Sequence, residues 1–183
     1  MRAVFIFVAA AAVALMTTSA SALPFRADLD EDQAVPPFDR GPNEIPSFGI
    51  FNMTLEGDAM TWTFVLQTQS IENPLAQAHI HSGAFGVPGP VVQPLFDLTG
   101  VPVEITGDLI ISGEFTNPNL TAGLLACEAL GAGTFCDFYV NVHTTVHQAG
   151  EIRGQLQVVP EPSALLLLVG GLTGALALRR RPA

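Results

Sequence analysis

The stretch SFGIFNMTLEGDAMTWTFVLQT, residues 47–68, decides the fold class. In its second arm Trp62, Phe64 and Leu66 fall on one face of an extended chain, and Thr61, Thr63 and Val65 on the other. Gly57-Asp58 separates this arm, Met60 to Thr68, from a similar one, Ser47 to Glu56. The pair is expected to be a β-hairpin with a tight turn between its strands.

Outward from the hairpin, short segments rich in β-branched and aromatic residues alternate with Gly, Pro and Asn. Further strands are expected at Phe25 to Val35, stopped by Pro36-Pro37, and at Leu75 to His81, Val91 to Leu98, Leu109 to Phe115, Phe138 to Thr144 and Glu151 to Val158. One helix is expected, Thr121 to Leu130, after the turn signal Asn117-Pro118-Asn119 and ending at Gly131. Such a series of short strands predicts an all-β fold, a Greek-key-like antiparallel β-sandwich or barrel with one short helix. No repeat of fixed period interrupts it.

The two ends carry the address. Arg2 precedes an apolar stretch, Ala3 to Met16, and a polar patch ending in Ala20-Ser21-Ala22. This order describes a secretory signal peptide over residues 1–22, cleaved after Ala22. An uncleaved anchor helix is the alternative, and the short apolar run and small-residue cleavage site speak against it. At the other end Pro160-Glu161-Pro162 leads into an uncharged apolar run and then Arg179-Arg180-Arg181. As a helix, Ser163 to Leu178 would be about 24 Å long, against a hydrocarbon core of about 30 Å. It spans only if the bilayer thins or the arginines snorkel. The arginines should remain cytoplasmic, which places the preceding domain on the far side.

This tail, residues 160–183, resembles the PEP-CTERM sorting signal of bacterial exported proteins: the Pro160-Glu161-Pro162 triplet, a short apolar helix and a terminal Arg cluster stand in order. The resemblance implies a membrane-anchored precursor, cut near the motif by a dedicated membrane protease at the inner membrane, and a mature form at the cell surface or in the extracellular matrix. A plain single-pass anchor is the alternative.

Between the ends, residues 23–159 hold three basic and sixteen acidic residues, a net charge of −13, with no lysine in the chain. So acidic a domain excludes nucleic-acid binding through phosphates. It fits an extracellular protein kept soluble by acids. Cys127 and Cys136 are the only cysteines, and an even count in an exported chain reads as one disulfide rather than free thiols or a zinc site.

Four blocks of this middle resemble the CHRD domain, named for its repeats in chordin. They are Leu29 with Gln33-Ala34-Val35-Pro36-Pro37, then Ala78-His79-Ile80-His81-Ser82-Gly83, then Gly86 with Gly89-Pro90-Val91-Val92, and finally Tyr139-Val140-Asn141-Val142-His143-Thr144 followed by Gly150-Glu151-Ile152-Arg153-Gly154-Gln155-Leu156. They occur in the family's order, although Gln148-Ala149 stand where a Pro usually precedes the last Gly-Glu. The resemblance implies a β-sandwich without an established catalytic activity.

His79 and His81, at i and i+2 of an expected strand, emerge on one face about 7 Å apart. With His143, and with His147 or a carboxylate as a further ligand, they would suit Cu or Zn on ligand type. The H-x-H strand is also similar to the copper ligands of Cu/Zn superoxide dismutase, but the bridging histidine and aspartate loop of the dismutase zinc site are missing, which argues against dismutase activity. The commoner use of such histidines is to hold the loop Ser82 to Pro90 by hydrogen bonds to its carbonyls. Glu151 and Arg153 share a face at i and i+2, and their expected role is structural, as a salt bridge or carbonyl clamp. No G-x-S-x-G, C-x-x-C or H-E-x-x-H occurs, and the Ser82 to Pro90 loop lacks the context of a phosphate loop.

The chain therefore reads as an exported, surface- or matrix-displayed, non-catalytic binding or structural module, with no cofactor demanded by its motifs. Its partners would be the sorting protease, the membrane, and matrix polysaccharide or a surface protein. The alternative is an exported Cu- or Zn-binding, redox-active sandwich protein that uses the histidines.

Overall fold

The computed structural model describes residues 22–36, 47–66, 74–104 and 108–160. The signal helix and the short transmembrane helix expected at the two ends lie outside these residues, as do Glu161 and Pro162.

Eight strands and one helix follow in the order β1 (Leu23–Asp30), β2 (Phe48–Glu56), β3 (Ala59–Leu66), β4 (Leu75–Ser82), β5 (Val91–Asp97), β6 (Leu109–Thr116), α1 (Pro118–Glu128), β7 (Phe135–Thr144) and β8 (Ile152–Val158). They make one sheet in the order β5-β4-β7-β8-β1-β2-β3-β6. Every pairing in it is antiparallel. The all-β reading therefore holds, with a single sheet rolled into a nearly closed barrel or sandwich.

The hairpin of β2 and β3 forms as its alternation demands. Phe51 faces Phe64, Met53 faces Trp62 and Leu55 faces Met60 across the ladder. All six are buried. The turn uses Gly57 at φ 62, a conformation glycine adopts without steric penalty. The polar sides of the same strands, such as Asn52 and Thr61, are exposed.

Two contacts draw the sheet's edges together. Phe96 on β5, one edge strand, meets Phe64 on β3 with ring centroids 5.7 Å apart and nearly perpendicular planes, an arrangement aromatic rings favour. Asn117, just past β6 at the other edge, donates from its side chain to the Val92 carbonyl of β5 at 3.0 Å.

Three boundaries differ from expectation by three residues or more. β1 stops at Asp30 instead of Val35, because the Asp30 carboxylate accepts the Gln33 N–H at 2.9 Å and the Glu31 carbonyl accepts the Ala34 N–H, turning the chain. The helix begins at Pro118, three residues before the expected Thr121, because Asn117 is its cap and accepts the Leu120 N–H at 3.1 Å. Proline suits the first helical position. β7 begins at Phe135 instead of Phe138, extended by the pairing of Phe135 with Gln157.

Leu120 and Leu124 of α1 are buried in the core. A disulfide between Cys127 and Cys136 fastens the end of the helix to the start of β7. Closing a loop this short stabilises a fold by about 2–3 kcal/mol. A Cys127→Ser/Cys136→Ser variant should therefore melt below the native protein in the absence of reductant, and reductant should lower the native protein to the same level while leaving the variant unmoved.

Candidate metal centre

In β4, β7 and β8 the outward faces are covered as well as the inward ones. The two-residue period turns His79 and His81 outward on β4, Tyr139, Asn141 and His143 on β7, and Arg153 and Gln155 on β8. The register sets His79 opposite Asn141, His81 opposite Tyr139 and Gln77 opposite His143. On the next ladder Tyr139 faces Gln155 and Asn141 faces Arg153. Yet Arg153 is only 2% exposed and His143 only 6%.

The cover over the Tyr139 side of this layer is the loop from Gly83 to Pro90, whose peptide groups answer the buried side chains there. Asn141 instead donates to the Ala149 carbonyl of the 145–150 turn at 3.0 Å. Arg153 donates to the carbonyls of Ala84 and Val87 at 3.0 and 3.1 Å. Gln155 donates to the Gly83 carbonyl at 2.8 Å. His81 Nδ1 lies 2.9 Å from the Gly89 carbonyl, while the Gly89 N–H donates to the Tyr139 hydroxyl at 3.0 Å. A Cβ at position 89 would fall on the Ser82 carbonyl, so only glycine lets the backbone pass so close.

One ligand atom each from His79, His81 and His143 can be chosen so that all three lie within 4.8 Å of one another. The partners on the far sides of the rings fix two of the tautomers. A carbonyl can only accept, so His81 Nδ1 must carry its proton towards Gly89. His143 Nδ1 must likewise donate to the Gln148 carbonyl at 2.8 Å. In the neutral rings both Nε2 atoms then present lone pairs. His81 Nε2 is buried without a hydrogen-bond partner. His143 Nε2 faces His79 Nδ1 at 3.3 Å. Imidazoles held by a carbonyl on one nitrogen and open on the other have the arrangement that metal-ligating histidines adopt.

The Tyr139 ring stacks on His81 with centroids 4.9 Å apart and planes 12° from parallel. Arg153 Cζ sits 3.4 Å above the Tyr139 ring centroid, a cation–π contact. Tyr139, Gln155 and Gly89 stood in the sequence only as members of the family blocks, with no role of their own. The period of β7 was the available signal for Tyr139, since it places that residue on the face of His143.

His147 does not join the group. β7 ends at Thr144, and His147 lies in the following turn, where its N–H donates to Thr144 Oγ1 at 3.0 Å. Of the two residues expected to be structural, Arg153 is a carbonyl clamp, as described. Glu151 accepts the Ser47 hydroxyl at 2.7 Å and is buried just before β8.

Burial keeps all three clustered histidines neutral at neutral pH. Desolvation is the largest cause at each, lowering the affinity of His79, His81 and His143 for a proton. At His143 the value falls from 6.5 to about 4, despite the opposing hydrogen bond to Gln148. The unfolded chain therefore takes up this proton first as pH falls. The associated stability is full above pH 6.5 and is lost as pH drops towards about 4, because protons then favour the unfolded state. The melting temperature of the metal-free protein should decline across that window, and a His143→Gln variant should decline less steeply over the same pH series.

The CHRD domain family matches residues 25–156, and the PEP-CTERM protein-sorting motif matches residues 158–181. No curated protein and no solved structure matches the chain. The sorting motif indicates export and membrane-anchored sorting, with the mature form at the cell surface or outside the cell. With a match spanning nearly the whole barrel, the chain belongs to the CHRD domain family.

Proposed function

We propose that this protein is a surface-displayed module that holds one first-row transition-metal ion on His79, His81 and His143. In this reading residues 1–22 are removed as a signal peptide, residues 23–159 form the displayed domain, and residues 160–183 anchor the precursor until a sorting protease releases it. The observation that carries the metal reading is the pair of Nε2 lone pairs on His81 and His143, each set by a backbone carbonyl on the opposite nitrogen. Both rings belong with His79 to a cluster, on two neighbouring strands, in which one ring nitrogen of each lies within 4.8 Å of the others. Histidines used only to fasten a loop need no such cluster.

A second reading has its own support. His81 donates to Gly89 and so fastens the cover loop, which suits a non-catalytic structural or binding module with matrix polysaccharide or a surface protein as partner. The two readings part on stoichiometry. On the metal reading, the purified exported protein retains one metal ion per chain after dialysis against copper or zinc. Free metal at about a hundred times Kd should raise its stability by about 2.7 kcal/mol, and a His79→Ala/His81→Ala variant should lose both effects. Absence of retained metal in the native protein would leave the histidines as fasteners.

The sorting part of the reading is tested separately. Replacement of Pro160, Glu161 and Pro162 by alanine should leave the chain uncut in the membrane fraction, as followed by immunoblotting of membrane and released fractions. Normal release of that variant would overturn it.

A further inference from the structure

We infer that the ion held by His79, His81 and His143 is univalent copper, and that the site favours Cu(I) over Cu(II) and Zn(II). This rests on the metal reading above and names its cargo. The first ground is the charge of the donor set. Among the described residues, no carboxylate or thiolate joins the three imidazoles, so the ligands bring no negative charge to offset the ion's own.

The second ground is where that charge must sit. His81 and His143 are buried, and the cost of desolvating an ion grows with the square of its charge. A divalent ion thus costs about four times a univalent one before its ligands compensate. The charged groups facing the site do not redress this. Asp97 lies on the His79 side but is fully exposed, so solvent screens it. Arg153 is buried and stands behind Tyr139 on the His81 side, where its positive charge opposes further positive charge.

The third ground is coordination number. Zn(II) held by three protein ligands takes a water as its fourth, which this donor set does not itself supply. A d¹⁰ Cu(I) ion accepts three nitrogen donors as a complete set, which is what the two strands supply. His79 is the member free to adjust. It is half-buried, and its Nδ1, the nitrogen facing His143, must give up its proton to become a ligand. The ring can shift that proton to Nε2, whereas the carbonyls hold His81 and His143 in place.

The test uses the exported protein, prepared metal-free and titrated anaerobically with Cu(I) against a chromogenic Cu(I) chelator such as bathocuproine disulfonate, then challenged with excess Zn(II). The expected result is one Cu(I) per chain withheld from the chelator, undisplaced by Zn(II), and silent in electron paramagnetic resonance after exposure to air. His79→Ala leaves both loop-fastening hydrogen bonds intact and so guards against misreading a folding defect. It should weaken Cu(I) binding by more than the roughly 10–100-fold typical of losing an outer partner. Retention of one metal per chain with Zn(II) displacing Cu(I), or with a Cu(II) resonance developing in air, would overturn the preference for Cu(I) while leaving the metal reading standing. Retention of neither copper nor zinc would overturn both. A His79→Ala variant that binds Cu(I) as tightly as the native protein would remove His79 from the site.

Discussion

Three neighbouring strands, β4, β7 and β8, are covered on both faces, and the cover on the outer face is a loop of bare backbone. A strand buried on one side can leave its polar alternates in water. These strands cannot, so each outward polar side chain needs a partner out of solvent. The Gly83 to Pro90 loop supplies the carbonyls that Arg153, Gln155 and His81 require. In return those side chains fix a segment that has no regular structure of its own. Loop and layer specify each other, which is why Gly89 admits no side chain and why Arg153 is almost wholly buried with no carboxylate paired to it among the described residues.

The same arrangement makes the histidine cluster more than a proximity of rings. Hydrogen bonds to Gly89 and Gln148 spend one nitrogen of His81 and of His143 on the backbone and leave the lone pair of the other nitrogen free of it. Loop fastening and the proposed ligand presentation, which look like competing uses of a histidine, would be performed by opposite edges of the same ring. The desolvation that depresses proton affinity also keeps the rings in the form a metal requires. Exported to a cell surface, such a site would meet acidic surroundings with protons as weak competitors.

Much of the barrel was legible because it is written in local pattern. The alternation of Trp62, Phe64 and Leu66 gave β3, the Gly57-Asp58 turn gave the hairpin, and the spacing of strand segments gave the class. Side chains that cap or turn the chain were harder to read. Asp30 ends β1 by accepting from Gln33, and Asn117 starts α1 early by accepting from Leu120. Both are single hydrogen bonds that leave hydrophobic periodicity unchanged. His79 and His81 could be placed on one face from their spacing alone. That His143 joins them depends on β4 pairing with β7 across a sequence separation of 64, which no local rule fixes. Nor does one fix the turn after Thr144 that keeps His147 apart. A histidine holding the Ser82 to Pro90 loop by a carbonyl was legible, and His81 does so at Gly89. Which carbonyls Arg153 and Gln155 take was not, since the sequence does not distinguish one backbone carbonyl from another.

One feature of the ladder governs how the protein is handled after synthesis. β1 and β8 are antiparallel neighbours, with Phe25 opposite Val158 and the Val159 N–H bonded to the Pro24 carbonyl. The two ends of the described domain thus leave the barrel side by side, at the pole that also carries the Gly57-Asp58 turn. Leader removal and tail release, as proposed, are cuts at a single stem, and neither requires a strand to peel away. Before the second of the proposed cuts the domain would hang from its tail like fruit from its stalk, held by the pole opposite the one that bears the 98–104 and 145–150 turns.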